Sequence, residues 1–384
     1  MRQVAIVGVG MTKMGKSDKN VVELLAEAAL KAMDDAGVGE GFDEVFVGNM
    51  AAGEFEGMSG LGSALVSMLS LEPTPAMRIE NMTASGASAI HAGWLSIASG
   101  KSSLVLVAGG EKMTSATTEK TADIVASFTH PAERDQGVTL PALVAMAART
   151  YLERYNAPRE SLAYVAVKNH HNGSLNPLAQ FQRRITVEEA LGSPVICDPL
   201  RLYDFCPISD GAAALVLAPL EEAGKYTDKP VKITGIGAAT DTHAVQERDD
   251  ITRMDAVRIA GEKAYRMSGR KPRDVDVAEL HDMATVLEIM IAEELGFFER
   301  GAGWREIERG AADLGGELPI NTSGGLKARG HPLGGTGVAQ VVELVMQLQG
   351  RCGERQAGEP RIGLACNLAG FANAAAVTIV ERGW

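Results

Sequence analysis

Residues 4–10 read VAIVGVG, and residues 231–237 read VKITGIG. Each run is short and apolar and ends in glycine, and each precedes a helical pattern, over 21–36 in one case and 252–267 in the other. Apolar runs bounded by glycine are typical of buried strands, and strands that alternate with helices predict parallel βαβ units. The same strand–helix unit therefore opens both halves of the chain.

The repeat continues along both halves in the same order. Its further pairs are strand-like runs at 44–47 and 276–280, polar turns before a long helix at 81–86 and 321–325, and buried-strand runs at 104–110 and 361–366. General likeness among α/β proteins explains the alternation, but it does not explain the shared order of distinctive turns. We interpret the pattern as a duplication, which predicts an α/β fold of five layers in which two sheets share a central helical layer.

Residues 120–208 interrupt the repeat. They contain a polar cluster at 168–173 (KNHHNG) and the basic pair Arg183 and Arg184, and they predict a lobe of short helices inserted into the first half. The predicted domains are an N-terminal half over 1–119 and 209–225, the inserted lobe over 120–208, and a C-terminal half over 226–384.

Composition and charge predict a globular protein and argue against several other classes. The 384 residues are 46% hydrophobic and 22% charged, which is typical of globular proteins. No apolar run approaches the roughly 18 residues of a membrane span, and the first residues lack the zones of a signal peptide, so we expect a cytoplasmic protein. A net charge of −12 argues against nucleic acid as a partner. The four scattered cysteines fit neither a zinc site nor a disulfide framework.

Five motifs follow one another at predicted strand ends: residues 81–86 (NMTASG), 207–213 (PISDGAA), 279–282 (ELHD), 324–334 (GGLKARGHPLG) and 366–370 (CNLAG). Together they resemble the thiolase superfamily over the whole chain, most closely its sterol-carrier or lipid-transfer branch. The resemblance implies the thiolase fold, with duplicated βαβαβαββ halves in an αβαβα arrangement and an inserted loop domain. It also implies work on the carbon skeleton of an acyl-CoA, with coenzyme A as part of the substrate, no covalently bound cofactor and no metal.

Two histidines are the first candidates for catalysis. Enzymes of this superfamily stabilise a thioester enolate, and pre-aimed N–H donors suit its negatively charged oxygen. By the resemblance, His331 and His281 line the first oxyanion hole, and Gly370 supplies an amide to the second. A lone histidine is more often a buried residue bound to a carbonyl. His331, however, stands between a glycine and a proline, which permit close approach and fix the backbone.

Cys366 falls near the cysteine that serves the family as acid/base. A thiol suits that task because its reference pKa of about 8.5 can be lowered by a nearby dipole or cation. In the family the cysteine directly precedes glycines, whereas here Asn367 and Leu368 intervene. The alternative is a small apolar residue buried at the end of a strand.

Thr83 occupies the position of the family's nucleophilic cysteine. A helix N-terminus lowers the pKa of a thiol, but a threonine hydroxyl needs a dedicated base before it attacks. The alternative role for Thr83 is a helix cap. The chain thus lacks the group that accepts an acyl chain and keeps the groups that stabilise an enolate.

Three functions stay open at this point. The first is a lyase-like or condensing enzyme that works through an acyl-CoA enolate, as retro-aldol enzymes of the lipid-transfer branch do. The second is a true β-ketoacyl-CoA thiolase or acyltransferase in which Thr83 is an engineered or compensated replacement. The third is a non-catalytic acyl-CoA binder that partners an active subunit. A binder has no need for both histidines in their motifs, which argues against the third function.

The remaining expectations concern ligands and partners. Arg183, Arg184 and Ser209 are candidates for holding the coenzyme, although a solvated basic face explains the arginines equally well. The resemblance further implies a homodimer or a dimer of dimers that pairs through a strand near residues 104–110. It also implies a possible small zinc-bearing OB-fold companion protein.

Overall fold

The computed structural model describes residues 1–384. Its strands are β1 (Val4–Met11), β2 (Glu44–Gly48), β3 (Ala76–Ile79), β4 (Val105–Lys112), β5 (Val195–Cys197), β6 (Leu200–Arg201), β7 (Asp210–Pro219), β8 (Val231–Thr240), β9 (Val277–Leu280), β10 (Ile362–Ala369) and β11 (Ala374–Arg382). Its helices are α1 (Val21–Ala36), α2 (Ala52–Glu56), α3 (Leu61–Met68), α4 (Ser85–Ser99), α5 (Thr118–Ala126), α6 (Pro131–Arg134), α7 (Leu140–Arg154), α8 (Glu160–Ser174), α9 (Val187–Gly192), α10 (Asp255–Ser268), α11 (Thr285–Glu294), α12 (Gly303–Glu308), α13 (Gly325–Ala328) and α14 (Thr336–Gln349).

The duplication is visible in the pairing of the strands. The first half is ordered β3-β2-β4-β7-β1, and the second half continues as β8-β11-β10-β9. In the first half β2 pairs parallel to β4, and β7 pairs antiparallel to both β4 and β1. The second half repeats this with β9 parallel to β10, and β11 antiparallel to both β10 and β8. Ile320 bridges Ala278 in parallel, at the place that β3 takes beside β2.

The helices form the predicted layers. Helices α4 and α14 contact each other and strands of both halves, whereas α1 packs on β1, β7 and β4, and α10 packs on β8 and β11. Alternation along β1 explains how one strand serves two layers: Ala5 and Val7 share a core with α1, while Val4 and Ile6 share a core with α4 and α14. One detail differs from the expected pair of separate sheets. Residues 4–6 pair antiparallel with 231–233, so the two halves join edge to edge in one sheet of nine strands.

Glycines let the central layer approach the strands closely. A Cβ on Gly86 would lie 2.5 Å from the Gly334 carbonyl oxygen, and a Cβ on Gly109 would lie 2.6 Å from the same atom. The start of α4, the middle of β4 and the loop before α14 are therefore in contact through backbone alone. This packing brings the 81–86 and 324–334 motifs of the two halves together.

The strand near residues 104–110, through which we expect subunits to pair, offers no free edge to a partner's strand. That segment is β4, which is hydrogen-bonded to β2 on one side and to β7 on the other, so it has no free edge. The free edge of the first half is β3, where Met77 is 59% exposed. None of the helices is long and apolar enough to cross a membrane.

Candidate active site

A cavity of about 380 Å³ lies between the inserted segment and the loops that follow the strands. Thr83 follows β3, Met283 follows β9, and His331 and Leu333 come from the loop before α14; these four residues form one wall. Residues of α5 and α7 also line the cavity, as does the segment 205–208, which pairs with the same loops through Phe205 with Ala284 and Ile208 with His331. Ligands of open α/β sheets bind beyond the carboxyl ends of strands, which is where this cavity lies.

His331 is held at both its backbone and its ring. Its backbone N–H donates to Ser209 Oγ over 2.9 Å, and its ring Nδ1 lies 2.7 Å from Thr336 Oγ1. The preceding Gly330 has φ +118°, a conformation that side chains other than glycine rarely adopt. The ring itself lines the cavity. With Nδ1 occupied by the threonine hydroxyl, Nε2 is the atom that can address a ligand.

His281 lies beside His331, with ring centroids 5.0 Å apart and planes at 89°. The Asn367 amide nitrogen donates to His281 Nδ1 over 2.9 Å, so the ring proton of the neutral form lies on Nε2. That Nε2 is buried and has no partner within the protein. Burial lowers the pKa of His331 to about 3 and the pKa of His281 well below its ordinary value. Both rings are therefore neutral, and a neutral imidazole carries one N–H that can be offered to an oxyanion.

Thr83 is buried, and its hydroxyl donates to the Leu368 carbonyl oxygen over 2.5 Å. Helix α4 begins at Ser85, and the residue before it is Ala84, so the alternative role of Thr83 as a helix cap is wrong. The hydroxyl is bound to a carbonyl rather than to a histidine or a carboxylate. It therefore lacks the base that an attacking hydroxyl requires.

Cys366 does not reach the cavity. Successive residues of a strand face opposite sides, and Asn367 is the one that faces His281. Cys366 is fully buried in the core that includes residues of α10, and that apolar burial raises the pKa of its thiol. The structure thus favours the alternative, a small buried apolar residue, over the acid/base role. Gly370, in contrast, lies close to the Thr83 loop: its φ is +55°, and a Cβ there would lie 3.5 Å from Met82 Sδ.

None of the predicted coenzyme contacts lines the cavity. Arg183 and Arg184 are exposed, and Arg183 forms an ion pair with Glu189. Ser209 is fully buried; its hydroxyl donates to Gln180 Oε1 over 2.6 Å and accepts the N–H of His331. The same hydroxyl also lies 3.2 Å from the Pro207 carbonyl oxygen, so Ser209 makes its hydrogen bonds within the protein and positions the His331 loop rather than lining the cavity.

Sequence profiles settle the family. The profile described as "Thiolase, N-terminal domain" matches residues 4–221, and "Thiolase C-terminal domain-like" matches residues 237–382. The chain belongs to the thiolase family. Among its relatives, an acetyl-CoA acetyltransferase of Methanothermobacter thermautotrophicus is 44% identical over 384 residues, which is 100% of both chains. Sterol carrier protein 2 of Gallus gallus is 34% identical over 100% of this chain and 72% of its own length.

Among the solved structures, one of similar fold is named as an aldolase rather than an acetyltransferase. A structure named "Ltp2-ChsH2(DUF35) aldolase" has a TM-score of 0.86 and 27% sequence identity, covering 99% of this thiolase-family chain and 98% of that chain. The acetyltransferase names and the aldolase name together support an enzymatic function.

The sequence analysis did not identify two residues of this thiolase site, Cys206 and Lys327. Cys206 lines the cavity, and its N–H donates to the Met283 carbonyl over 2.9 Å. Lys327 is buried, and its Nζ donates to the carbonyl of Phe205 over 2.5 Å. Burial lowers the pKa of Lys327 to about 8 and raises the pKa of the Cys206 thiol to about 12. Cys206 immediately precedes the PISDGAA motif, so its place in the site follows from tertiary packing rather than from a sequence signal.

Beneath the histidines, Arg329 is fully buried with Glu279. Arg329 Nη1 lies 3.3 Å from Glu279 Oε2 and 3.2 Å from Ser323 Oγ. Even with this cation present, burial raises the pKa of Glu279 to about 7.

We predict that Arg329→Met lowers the free energy of unfolding by about 3 kcal/mol or more at pH 8, because it leaves a buried carboxylate unpaired. Urea denaturation followed by circular dichroism measures the change. Arg273→Met, at an exposed position, is the control and is expected to change the free energy of unfolding by less than about 0.5 kcal/mol. Equal stability of the two variants would contradict the prediction.

Proposed function

We propose that this protein makes or breaks a carbon–carbon bond of an acyl-CoA through an enolate, without an acyl-enzyme intermediate. The observation that carries the proposal is the pair of neutral histidines beside Thr83. Each has its Nδ1 occupied, by Thr336 or by Asn367, while the threonine hydroxyl is bound to a carbonyl. This arrangement supports a site that stabilises an oxyanion rather than one that activates a hydroxyl nucleophile.

In the cleavage direction, the substrate is a β-hydroxyacyl-CoA. The hydroxyl proton passes to solvent water as the bond between the α- and β-carbons breaks, an aldehyde or ketone leaves, and the electron pair stays in a thioester enolate. His331 donates Nε2–H to the enolate oxygen from the cavity wall, and His281, which lies behind it and does not line the cavity, donates Nε2–H directly or through a water. The enolate then takes a proton at the α-carbon and becomes an acyl-CoA. The condensing direction runs through the same enolate in reverse.

Cys206 is the proton donor in this proposal. Of the residues that line the cavity, only Cys206 and His331 carry an ionisable side chain. Its raised pKa keeps the thiol protonated at neutral pH, so it can give its proton to the α-carbon. The resulting thiolate is stabilised by the nearby Lys327 ammonium, whose charge favours the ionised form of Cys206.

The aldolase of similar fold supports cleavage of this kind, and the acetyltransferase of 44% identity favours thiolysis as the second candidate. The name of that aldolase includes a DUF35 component, which supports the proposal that this chain works with a companion protein. The free edge of β3 is the place in the first half where a homodimer can extend the sheet.

Exchange of α-protons in D₂O tests the function without knowledge of the second substrate. We expect the protein to exchange the α-protons of saturated acyl-CoAs, followed by proton NMR, and to cleave members of a β-hydroxyacyl-CoA panel, followed by mass spectrometry. Exchange with no cleavage of any β-hydroxyacyl-CoA, together with thiolysis of acetoacetyl-CoA, would overturn the proposal in favour of a thiolase.

We predict that Cys206→Ala lowers the exchange rate by at least about 100-fold, the usual contribution of a positioned acid/base. Affinity for the acyl-CoA, measured by calorimetry, is expected to stay within about threefold. Cys197→Ala is the matched control, because Cys197 is also partly buried in the inserted segment but does not line the cavity. If both cysteine variants exchange at the native rate, Cys206 is not the proton donor.

A further inference from the structure

The active-site cavity reaches from the surface to a largely apolar interior, in which Thr83, Thr121 and His331 are the buried polar residues. Its mouth carries Ile196 and Leu202, each 50% exposed, and its inner wall carries Met113, Phe128 and Val144, each at most 3% exposed. Fourteen of its 21 lining residues are hydrophobic. This wall offers few partners to a polar group, and an amide buried without a partner is costly.

The volume is large for a two-carbon acyl group. At about 30 Å³ for each water-sized group, a cavity of about 380 Å³ holds on the order of ten such groups. An acetyl group fills only a small part of this space, whereas protein interiors leave few voids of that size. The thioester end of the pantetheine arm also enters this cavity, because His331 and Cys206 line it, but the amides of the arm suit its apolar wall poorly and a hydrocarbon group suits it well.

We infer that the protein takes acyl-CoAs whose acyl group is bulky and apolar, such as a medium-chain or aryl-acyl group, and not acetyl-CoA. The inference rests on the proposed function for the identity of the ligand as an acyl-CoA. It differs from the substrate in the names of the acetyltransferase relatives, which is acetyl-CoA.

Helix α5 sets the width of the cavity. Thr118, Ala122 and Val125 recur at the spacing of one helical face, and all three line the cavity. Their side chains are small, and Val125 is half-buried in the wall. A larger side chain at position 125 would occupy space that the acyl group needs.

Binding measurements test the acyl class separately from the chemistry. Calorimetry with acetyl-CoA, butyryl-CoA, hexanoyl-CoA and phenylacetyl-CoA gives dissociation constants whether or not the protein forms an enolate. Because each buried methylene is worth about fourfold in affinity, we expect hexanoyl-CoA to bind at least tenfold more tightly than acetyl-CoA. Affinities for the two thioesters within twofold of each other would overturn the inference. Failure of α-proton exchange with unequal affinities would instead count against the proposed function alone.

A variant pair locates the acyl group in this cavity. Val125→Phe is expected to weaken hexanoyl-CoA binding about tenfold and to change acetyl-CoA binding less than twofold. Val167→Phe is the control: Val167 is a half-buried valine of α8 that does not line the cavity, and both affinities are expected to stay native. An equal loss for both thioesters in Val125→Phe, or no loss for either, would place the acyl group elsewhere.

Discussion

Replacing His331 with alanine is expected to lower the rate of α-proton exchange by about 100- to 1000-fold, the usual cost of losing one oxyanion donor. The reason is that His331 combines contact with the cavity and a fixed ring. Thr336 holds Nδ1 at 2.7 Å, Ser209 holds the backbone, and the ring is neutral. A neutral donor stabilises charge that appears only in the enolate, so binding of the substrate is expected to change by less than about threefold.

The control for His331→Ala is His171→Ala. His171 is a partly buried histidine of α8 that does not line the cavity, so its loss is expected to leave exchange at the native rate. His331→Ala is followed by NMR for exchange and by calorimetry for affinity. A loss of affinity as large as the loss of rate would show that His331 binds the ground state, and the oxyanion assignment would then be wrong.

The sequence was sufficient for the overall fold because the duplication repeats turns as well as apolar runs. The turn at 81–86 precedes the long helix α4 as predicted, whereas the turn at 321–325 precedes only the four-residue helix α13, and the long helix α14 begins at Thr336. The sequence could not predict that the two halves join through hydrogen bonds between β1 and β8. Residues 4–6 and 231–233 are predicted as strands whether or not they pair with each other. The apolar pattern of a strand does not identify the strand beside it in the sheet.

In the candidate site, the sequence located a cavity residue where glycine and proline restrict the backbone. It chose the wrong strand residue where a shift of one position changes the face to which a side chain points. His331 lies between Gly330 and Pro332, and the structure places it on the cavity wall, while its role as an oxyanion donor stays a prediction. Cys366 was chosen from a strand, where a shift by one residue moves a side chain to the other face, and Asn367 is the residue that reaches His281. Cys206 and Val125 come from the inserted segment, and only its tertiary packing against the halves brings them to the cavity.

Thr83→Cys is expected to form an acyl-enzyme, which the proposed function does not give to the native protein. Position 83 lies just before α4, whose N-terminus begins at Ser85 and favours a thiolate in its vicinity. The helix N-terminus does not activate threonine in the same way, because the threonine hydroxyl is far less acidic than a thiol. The Thr83 hydroxyl also already donates its proton to the Leu368 carbonyl oxygen. Loss of a catalytic nucleophile costs on the order of 10⁶ in kcat where it has been dissected. Even partial recovery in Thr83→Cys would therefore raise thiolysis of a β-ketoacyl-CoA by about 10³ or more.

Intact-protein mass spectrometry after incubation with a β-ketoacyl-CoA of suitable length detects the acyl group on Thr83→Cys directly. Thr83→Ser is the matched control, since it keeps a hydroxyl at the same place and is expected to stay unmodified. The exchange of α-protons is expected to persist in all three proteins, because the histidine pair does not depend on position 83. Acylation of the native protein itself, or thiolysis by it at the rate of Thr83→Cys, would mean that this chain has another route to acyl transfer. The second candidate, a thiolase with a compensated nucleophile, would then replace the enolate enzyme proposed for this fold.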